Sequence, residues 1–197
     1  MTVDRVRRVV RAGSPLETHP AELDRSTARP AAVLVPLFDE DGEAHVVLTR
    51  RAATLRSHRH QVAFPGGRLD QGERAEEAAL REAQEEVGIE PDAVELLGPL
   101  PPLATFSGLS AITPFAGVLR GRPELRPNPA EVERAFTVPL AELLADGCHW
   151  EERWPFPTGT LHRVHFFDLP EDLVWGATAR ILVSFLCQVL GRPIPSA

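Results

Sequence analysis

The sequence has no lysine and no tyrosine, and all 21 of its basic residues are arginine. A lysine Schiff base and a tyrosine nucleophile are therefore excluded. Cysteine is scarce as well: Cys148 and Cys187 stand alone, with no CxxC pair. That spacing argues against a Cys/His zinc cluster. It leads us to expect two reduced thiols in a cytoplasmic protein, with a single disulfide left open. No run reaches the ~18 apolar residues of a membrane span, and the opening MTVDRVRRVVRAG lacks the apolar core of a secretory signal. Neither a membrane nor an export role is expected. Positive charge is also in deficit, with 28 acidic residues and a net charge of −7. Non-specific nucleic-acid binders are usually basic, so nucleic acid is not the expected partner. A small anionic ligand would need a local positive site.

What is present is ordinary for a globular chain: 197 residues, 43% hydrophobic and 25% charged. That length suits one domain with a real core. Residues 1–29 are polar and rich in arginine and glutamate, and we expect an N-terminal arm there with a short amphipathic helix and a linker. Residues 30–190 form the expected domain and 191–197 a tail. AAVLVPLF (31–38) and HVVLTRR (45–51) flank DEDGEA, a strand–turn–strand pattern that predicts a hairpin. The loop AFPGGRLDQGE (63–73) precedes a run of helix formers to Val87, which Gly88 stops. Strands are expected over 93–100, 111–119 and 161–169. Turns and a short helix after Pro139 are expected over 130–146, and an apolar helix over 178–190. Both element types occur, so the fold class is α/β with a mixed sheet.

Within REAQEEVG (81–88) the glutamates Glu82, Glu85 and Glu86 sit at i, i+3 and i+4. On a helix those spacings share one face, where like charges cost a few tenths of a kcal/mol per pair. Divalent ions offset such repulsion. Magnesium is a hard cation that takes carboxylate and phosphate oxygens, and it can bridge a diphosphate and activate water. The wider pattern is Gly67, five residues, Glu73, seven residues, then Arg81-Glu82-Ala83-x-Glu85-Glu86-x-Gly88-Ile89. A chance match to all seven polar and glycine positions is on the order of one in 100,000 at average residue frequencies.

This pattern resembles the Nudix box, the signature of hydrolases acting on nucleoside diphosphates linked to another group. Ala83 departs from it, standing where a bulky aliphatic is usual. The resemblance implies a Nudix-type α/β/α sandwich over 30–190 and a Mg²⁺ or Mn²⁺ cofactor. It also implies Glu82, Glu85 and Glu86 as metal ligands, with a further ligand from the carbonyl of Gly66 or Gly67. Glu82 or Glu85 is the alternative candidate for orienting or deprotonating water. Glu73 and Arg81 are implied as orienting partners, since an ideal helix places Glu73 opposite Glu82. Glu131 and Glu133 are candidates for a carboxylate recruited from outside the box.

Upstream, VLTRRAATLRSHRHQVAFPGGRLD (47–70) resembles the motif that precedes the box in coenzyme A pyrophosphatases. Leu48, Thr49, Arg51, Leu55, Arg56, His58, Gln61, Val62, Phe64, Pro65, Gly66, Gly67 and Asp70 match it. Ala52 replaces a serine and His60 a glycine. The resemblance continues at 130–144 and 174–182. It implies hydrolysis of coenzyme A, or a derivative, to 3′,5′-ADP and 4′-phosphopantetheine. Arg51, Arg56, His58 and Arg59 are the candidates for binding its phosphates, because guanidinium forks hold phosphate oxygens in pairs. Two alternatives stand beside this. One is another nucleoside diphosphate derivative such as ADP-ribose, a dinucleotide or a nucleoside triphosphate. The other is a silent nucleotide-binding sensor, against which the intact glutamates argue. His162 and His165 are expected to be structural, with Thr178 capping the last helix. Trp175 is expected in the core at the helix entry, with substrate contact as the alternative, and Phe64 in the core, with a pantetheine or adenine slot as the alternative. Phe106 is expected in the core, with a pantetheine or adenine slot as the alternative.

Overall fold

In the computed structural model, residues 1–13, 28–55, 57–105, 109–155 and 161–195 are described. Helix α1 (Val3–Ala12) leads into β1 (Arg29–Glu40), which turns over Asp41-Gly42 into β2 (Glu43–Arg51). Leu37 pairs with Val46 and Glu40 with Glu43, the hairpin that the alternating apolar runs predict. Two short strands follow, β3 (Val62–Ala63) and β4 (Gly66–Arg68), then α2 (Ala75–Val87). β5 (Val94–Pro99), β6 (Leu103–Ala104), β7 (Ser110–Leu119) and β8 (Val132–Pro139) complete one sheet. β9 (His149–Pro155), β10 (Leu161–Leu169) and β11 (Asp172–Trp175) form a second, and α3 (Gly176–Leu190) closes the chain.

The first sheet runs β3-β2-β1-β7-β5, with β4 on β1, β6 on β7 and β8 on β2. β1 and β7 are parallel and the other pairs antiparallel, so the sheet is mixed. Side-chain alternation divides its two faces. Ala32, Leu34, Phe38 and Val47 pack under α2 with Ala78, Ala79, Ala83 and Val87. Val35, Leu37, Val46 and Leu48 pack under α1 and α3, with Val6, Leu182, Phe185 and Leu186. The result is the expected α/β/α sandwich. Val3, Val6 and Val10 of the N-terminal helix are buried in that second core. Arg5 also donates Nε to the Val189 carbonyl at the end of α3, 3.0 Å away. No helix among the described residues is long and apolar enough to cross a membrane.

Two expectations need correction. Residues 132–139 form a full strand against β2, with Val46 opposite Val138, where turns were expected. Thr178 does not cap α3. Trp175 holds the cap position, and Thr178 Oγ1 instead donates to the Val62 carbonyl at 2.9 Å.

Candidate functional site

The site begins with small residues. Ala78, Ala79 and Ala83 are fully buried, and their lack of bulk lets α2 lie close on the sheet. Ala83 therefore fits where a larger aliphatic is usual. The same rotation turns Glu82 and Glu86 towards β4. A Cβ on Gly67 would overlap the Glu82 carboxylate where it stands, so a larger residue there would displace that side chain. The Gly66 N–H donates to Glu86 Oε2 at 3.1 Å.

Glu86 is only 3% exposed. Burial pushes its pKa up to about 7, although the Gly66 N–H and the nearby Arg51 guanidinium oppose the shift. Burial likewise raises Glu82, against the pull of Arg81. Glu131 completes the group: ligand oxygens of Glu82, Glu86 and Glu131 lie within 4.8 Å of one another. The turn before β8 fixes it there. The Asn128 N–H donates to the Glu86 carbonyl at 2.9 Å, and the Ala52 N–H to the Glu131 carbonyl at 2.8 Å. Three converging carboxylates, two of them held protonated more readily by burial, fit a hard divalent cation. The ion would supply the missing positive charge, and the all-oxygen donor set suits magnesium or manganese.

Glu73 precedes the helix rather than lying on its far side, which corrects the geometric premise for its role. Its carboxylate still reaches back to Arg81, accepting from Nε at 2.8 Å and Nη2 at 3.1 Å. That guanidinium holds Glu73 below the usual carboxylate range. Arg81 Nη1 then donates to Glu82 Oε1 and Glu85 Oε2, both at 3.0 Å. Glu85 is half exposed and stays on Arg81, outside the three-carboxylate group.

Of the two outlying glutamates, Glu133 points elsewhere. It lies 2.8 Å from His60 Nδ1 and 3.8 Å from Arg50 Nε. Sequence could not separate it from Glu131, because Glu131 precedes the strand and alternation does not reach it. His60 holds φ +57 and His58 φ +56, the left-handed region a glycine would favour. The loop keeps that backbone with histidine in place.

Beside the carboxylates opens a cleft of about 420 Å³. Arg51, His58, Gln61, Phe64 and the Gly66–Arg68 strand line one side of it, and Trp175, Ala177 and Arg180 of the α3 end another. Arg51 connects the two regions. Its Nη1 is 3.9 Å from Glu86 Oε1, and its Nε is buried with no hydrogen-bond partner among the described residues. His58 Nδ1 lies 2.8 Å from Gln61 Oε1. Arg59 is exposed and donates back to the Leu55 carbonyl, so it is not among the residues lining the cleft. Arg56 and Phe106 lie outside the described residues. Phe64 is both buried and cleft-lining. Trp175 is not a core residue: it is 36% exposed at the cleft's edge. His165 is a structural group. It stacks on His149, with Nδ1 3.2 Å from His149 Nε2, and burial beside that ring drops its pKa to about 4.

Comparison with known proteins gives a consistent picture. The profile of the family described as NUDIX domain matches residues 28–158. The Nudix hydrolase NudL of Pectobacterium atrosepticum is 42% identical over 169 residues, covering 84% of this chain and 85% of that protein. NudL of Photorhabdus laumondii is 44% identical over 163 residues, 82% of this chain and 85% of that one. Nudix hydrolase 22, chloroplastic, of Arabidopsis thaliana is 36% identical over 177 residues, 86% of this chain and 58% of its own. Among solved structures, a MutT/nudix family protein from Enterococcus faecalis shares the fold at TM-score 0.58. It is 15% identical, and the match covers 97% of this chain and 75% of that one.

Proposed function

This chain belongs to the Nudix hydrolase family, and from that premise we propose that it hydrolyses the diphosphate of coenzyme A or its derivatives. The products are 3′,5′-ADP and 4′-phosphopantetheine. The observation that carries this reading is the loop ahead of the carboxylates. Arg51, His58, Gln61 and Phe64, all in the motif that resembles coenzyme A pyrophosphatases, line the same cleft as Gly66 and Gly67.

Glu82, Glu86 and Glu131 would hold the divalent ion, with the Gly67 carbonyl as a candidate further ligand. A bound ion would neutralise charge on the diphosphate and lower the pKa of water. The chain's own residues do the rest. Arg51, beside Glu86 and lining the cleft, presents its guanidinium to a phosphate oxygen. His58 is a second phosphate contact from the cleft wall. Arg81, clamped by Glu73, keeps Glu82 and Glu85 at fixed positions. An attacking water forms the new P–O bond as the bridging P–O bond breaks, giving two phosphate monoesters. Its proton goes to a carboxylate oxygen. Glu82 is one candidate, through an oxygen that the ion would leave free. Glu85, more exposed, is the other candidate.

The test is incubation with coenzyme A and magnesium or manganese, with chromatography of the products. Formation of 3′,5′-ADP and 4′-phosphopantetheine is expected. A panel of ADP-ribose, dinucleotides and nucleoside triphosphates runs beside it. If ADP-ribose were cut while coenzyme A and its thioesters were untouched, the coenzyme A assignment would fall and the alternative substrate class would take its place.

A further inference from the structure

All three tryptophans of the chain, Trp150, Trp154 and Trp175, gather on one face of the second sheet. Phe166 pairs with Trp150 on one side and Trp175 on the other. Trp150 stacks on Phe166 at 5.1 Å between centroids with the rings 11° apart, and Trp154 lies 5.7 Å from the same ring. Trp154 in turn sits 6.1 Å from Trp175. One carboxylate fixes two of the indoles. Glu152 accepts Trp154 Nε1–H at 2.7 Å and Trp150 Nε1–H at 3.2 Å. Trp154 and Trp175 nevertheless remain 38% and 36% exposed, and Trp175 lines the cleft.

Two exposed indoles in a pinned array, continuous with a substrate cleft, form a prepared surface. Its chemistry selects what it receives. The phosphates belong with Arg51 and the carboxylate group at the other side of the cleft. What the aromatic end presents is ring face, so the planar, uncharged base of the substrate fits there. The N–H groups of Trp150 and Trp154 are already given to Glu152, so what those rings offer is π-face rather than hydrogen bonds. A flexible, amide-rich arm gains little from such a surface. A planar heterocycle gains a stack worth roughly 1–3 kcal/mol.

We propose that Trp175, backed by Trp154, is the shelf on which the purine base of the substrate stacks. The proposal rests on the adenine-nucleotide substrate of the reading above, and it adds Trp175 as a binding residue that sets orientation and affinity.

The absence of tyrosine makes the test direct, because the intrinsic fluorescence of this protein comes from these three indoles alone. Each half of the substrate is titrated separately, without turnover. The adenine half, 3′,5′-ADP, is expected to give a saturable fluorescence change, and 4′-phosphopantetheine none. Trp175→Ala should raise KM for coenzyme A about tenfold, within the range of one base–aromatic stack, with a smaller effect on kcat. Trp175→Phe, which keeps an aromatic face, should restore most of the affinity. A response to the pantetheine half alone, a response to neither half, or a Trp175→Ala enzyme with unchanged KM would overturn the shelf. The two readings fail separately. If coenzyme A is cut but 3′,5′-ADP leaves the fluorescence flat into the millimolar range, the shelf falls and the substrate stands. If adenine ligands change the fluorescence but coenzyme A is not cut, the shelf stands and the substrate assignment falls.

Discussion

Glu86 is the residue at which stability and chemistry pull in opposite directions. A carboxylate 3% exposed, with one N–H at 3.1 Å and a guanidinium at 3.9 Å, is poorly compensated. Such a group costs stability when ionised and is kept where a cation will meet it. Glu86→Gln should therefore lower metal-dependent turnover by several orders of magnitude. In the metal-free protein above pH 7 it should leave stability unchanged or improved, because a buried charge has gone. Steady-state kinetics and urea denaturation of the same preparation check both halves, and near-normal turnover would remove Glu86 from the metal site. Glu131→Gln should match it in turnover, while Glu133→Gln, whose carboxylate faces His60 and Arg50, should stay within a few-fold of wild type. At this scale the sequence was most legible where spacing carries meaning. The family resemblance, carried by spacing, pointed to Gly67, Glu73, Arg81, Glu82, Glu85 and Glu86, of which the fold brings Glu82 and Glu86 together and leaves Glu85 on Arg81. Glu131 could be named only as one of two candidates, because what selects it is a backbone bond from Asn128 to Glu86, across 42 positions of sequence. Trp175 was misplaced for a related reason. A large aromatic at a helix entry reads as core, and only the cleft beside it leaves it exposed.

Among the elements, α2 shows how local sequence and tertiary packing agree. Its alanine stripe, its run of helix formers and its stop at Gly88 were all readable, and each has a partner in the fold. Gly88 sits at φ +73; its N–H donates to the Gln84 carbonyl and the Ile89 N–H to the Ala83 carbonyl. An added Cβ would meet Arg126 Cβ at 3.1 Å. Gly88→Ala should therefore destabilise the protein by about 1–2 kcal/mol, the cost of forcing an L-residue into the left-handed region. A urea midpoint shift at unchanged m-value would measure it, and no shift would mean that the cap contributes nothing. Strands were less legible than helices. β8 contains AFTVP, in which turn and strand signals overlap, and its pairing with β2 decides the matter through contacts about 90 residues apart, as from Val46 to Val138. β9, His149–Pro155, is a charged, tryptophan-bearing segment with little apolar alternation, and it exists as a strand because β10 pairs with it.

For the whole molecule, a buried carboxylate and a half-buried histidine give stability opposing slopes with pH. His165 has its folded pKa near 4 against an ordinary 6.5. The unfolded chain binds the proton more readily, so this contribution is complete above about pH 6.5 and is lost as pH falls towards 4. Glu86 has its folded pKa near 7 against an ordinary 4.5. Here the folded chain binds the proton more readily, so this contribution is complete below about pH 4.5 and is lost as pH rises through 7. Its full span is about 3 kcal/mol at 1.36 kcal/mol per pKa unit. Between pH 4.5 and 6.5 the two slopes oppose each other, and the metal-free protein should show a nearly flat contribution from the pair. Magnesium changes one of them only. An ion held by Glu82, Glu86 and Glu131 keeps Glu86 ionised in the folded state and removes its loss on the alkaline side. Stabilisation by saturating magnesium should therefore be small at pH 5 and grow steadily to pH 7.5. Thermal and urea midpoints at pH 5, 6, 7 and 7.5, with magnesium and with chelator, measure this directly. Glu86→Gln should weaken the pH dependence of the magnesium effect, leaving the part carried by Glu82, whose pKa burial also raises, and His165→Gln should leave it in place while flattening the acid limb. A magnesium effect of equal size at pH 5 and pH 7.5 would show that the ion does not bind against the buried carboxylate, and the assignment of the metal site to that face of α2 would fail with it.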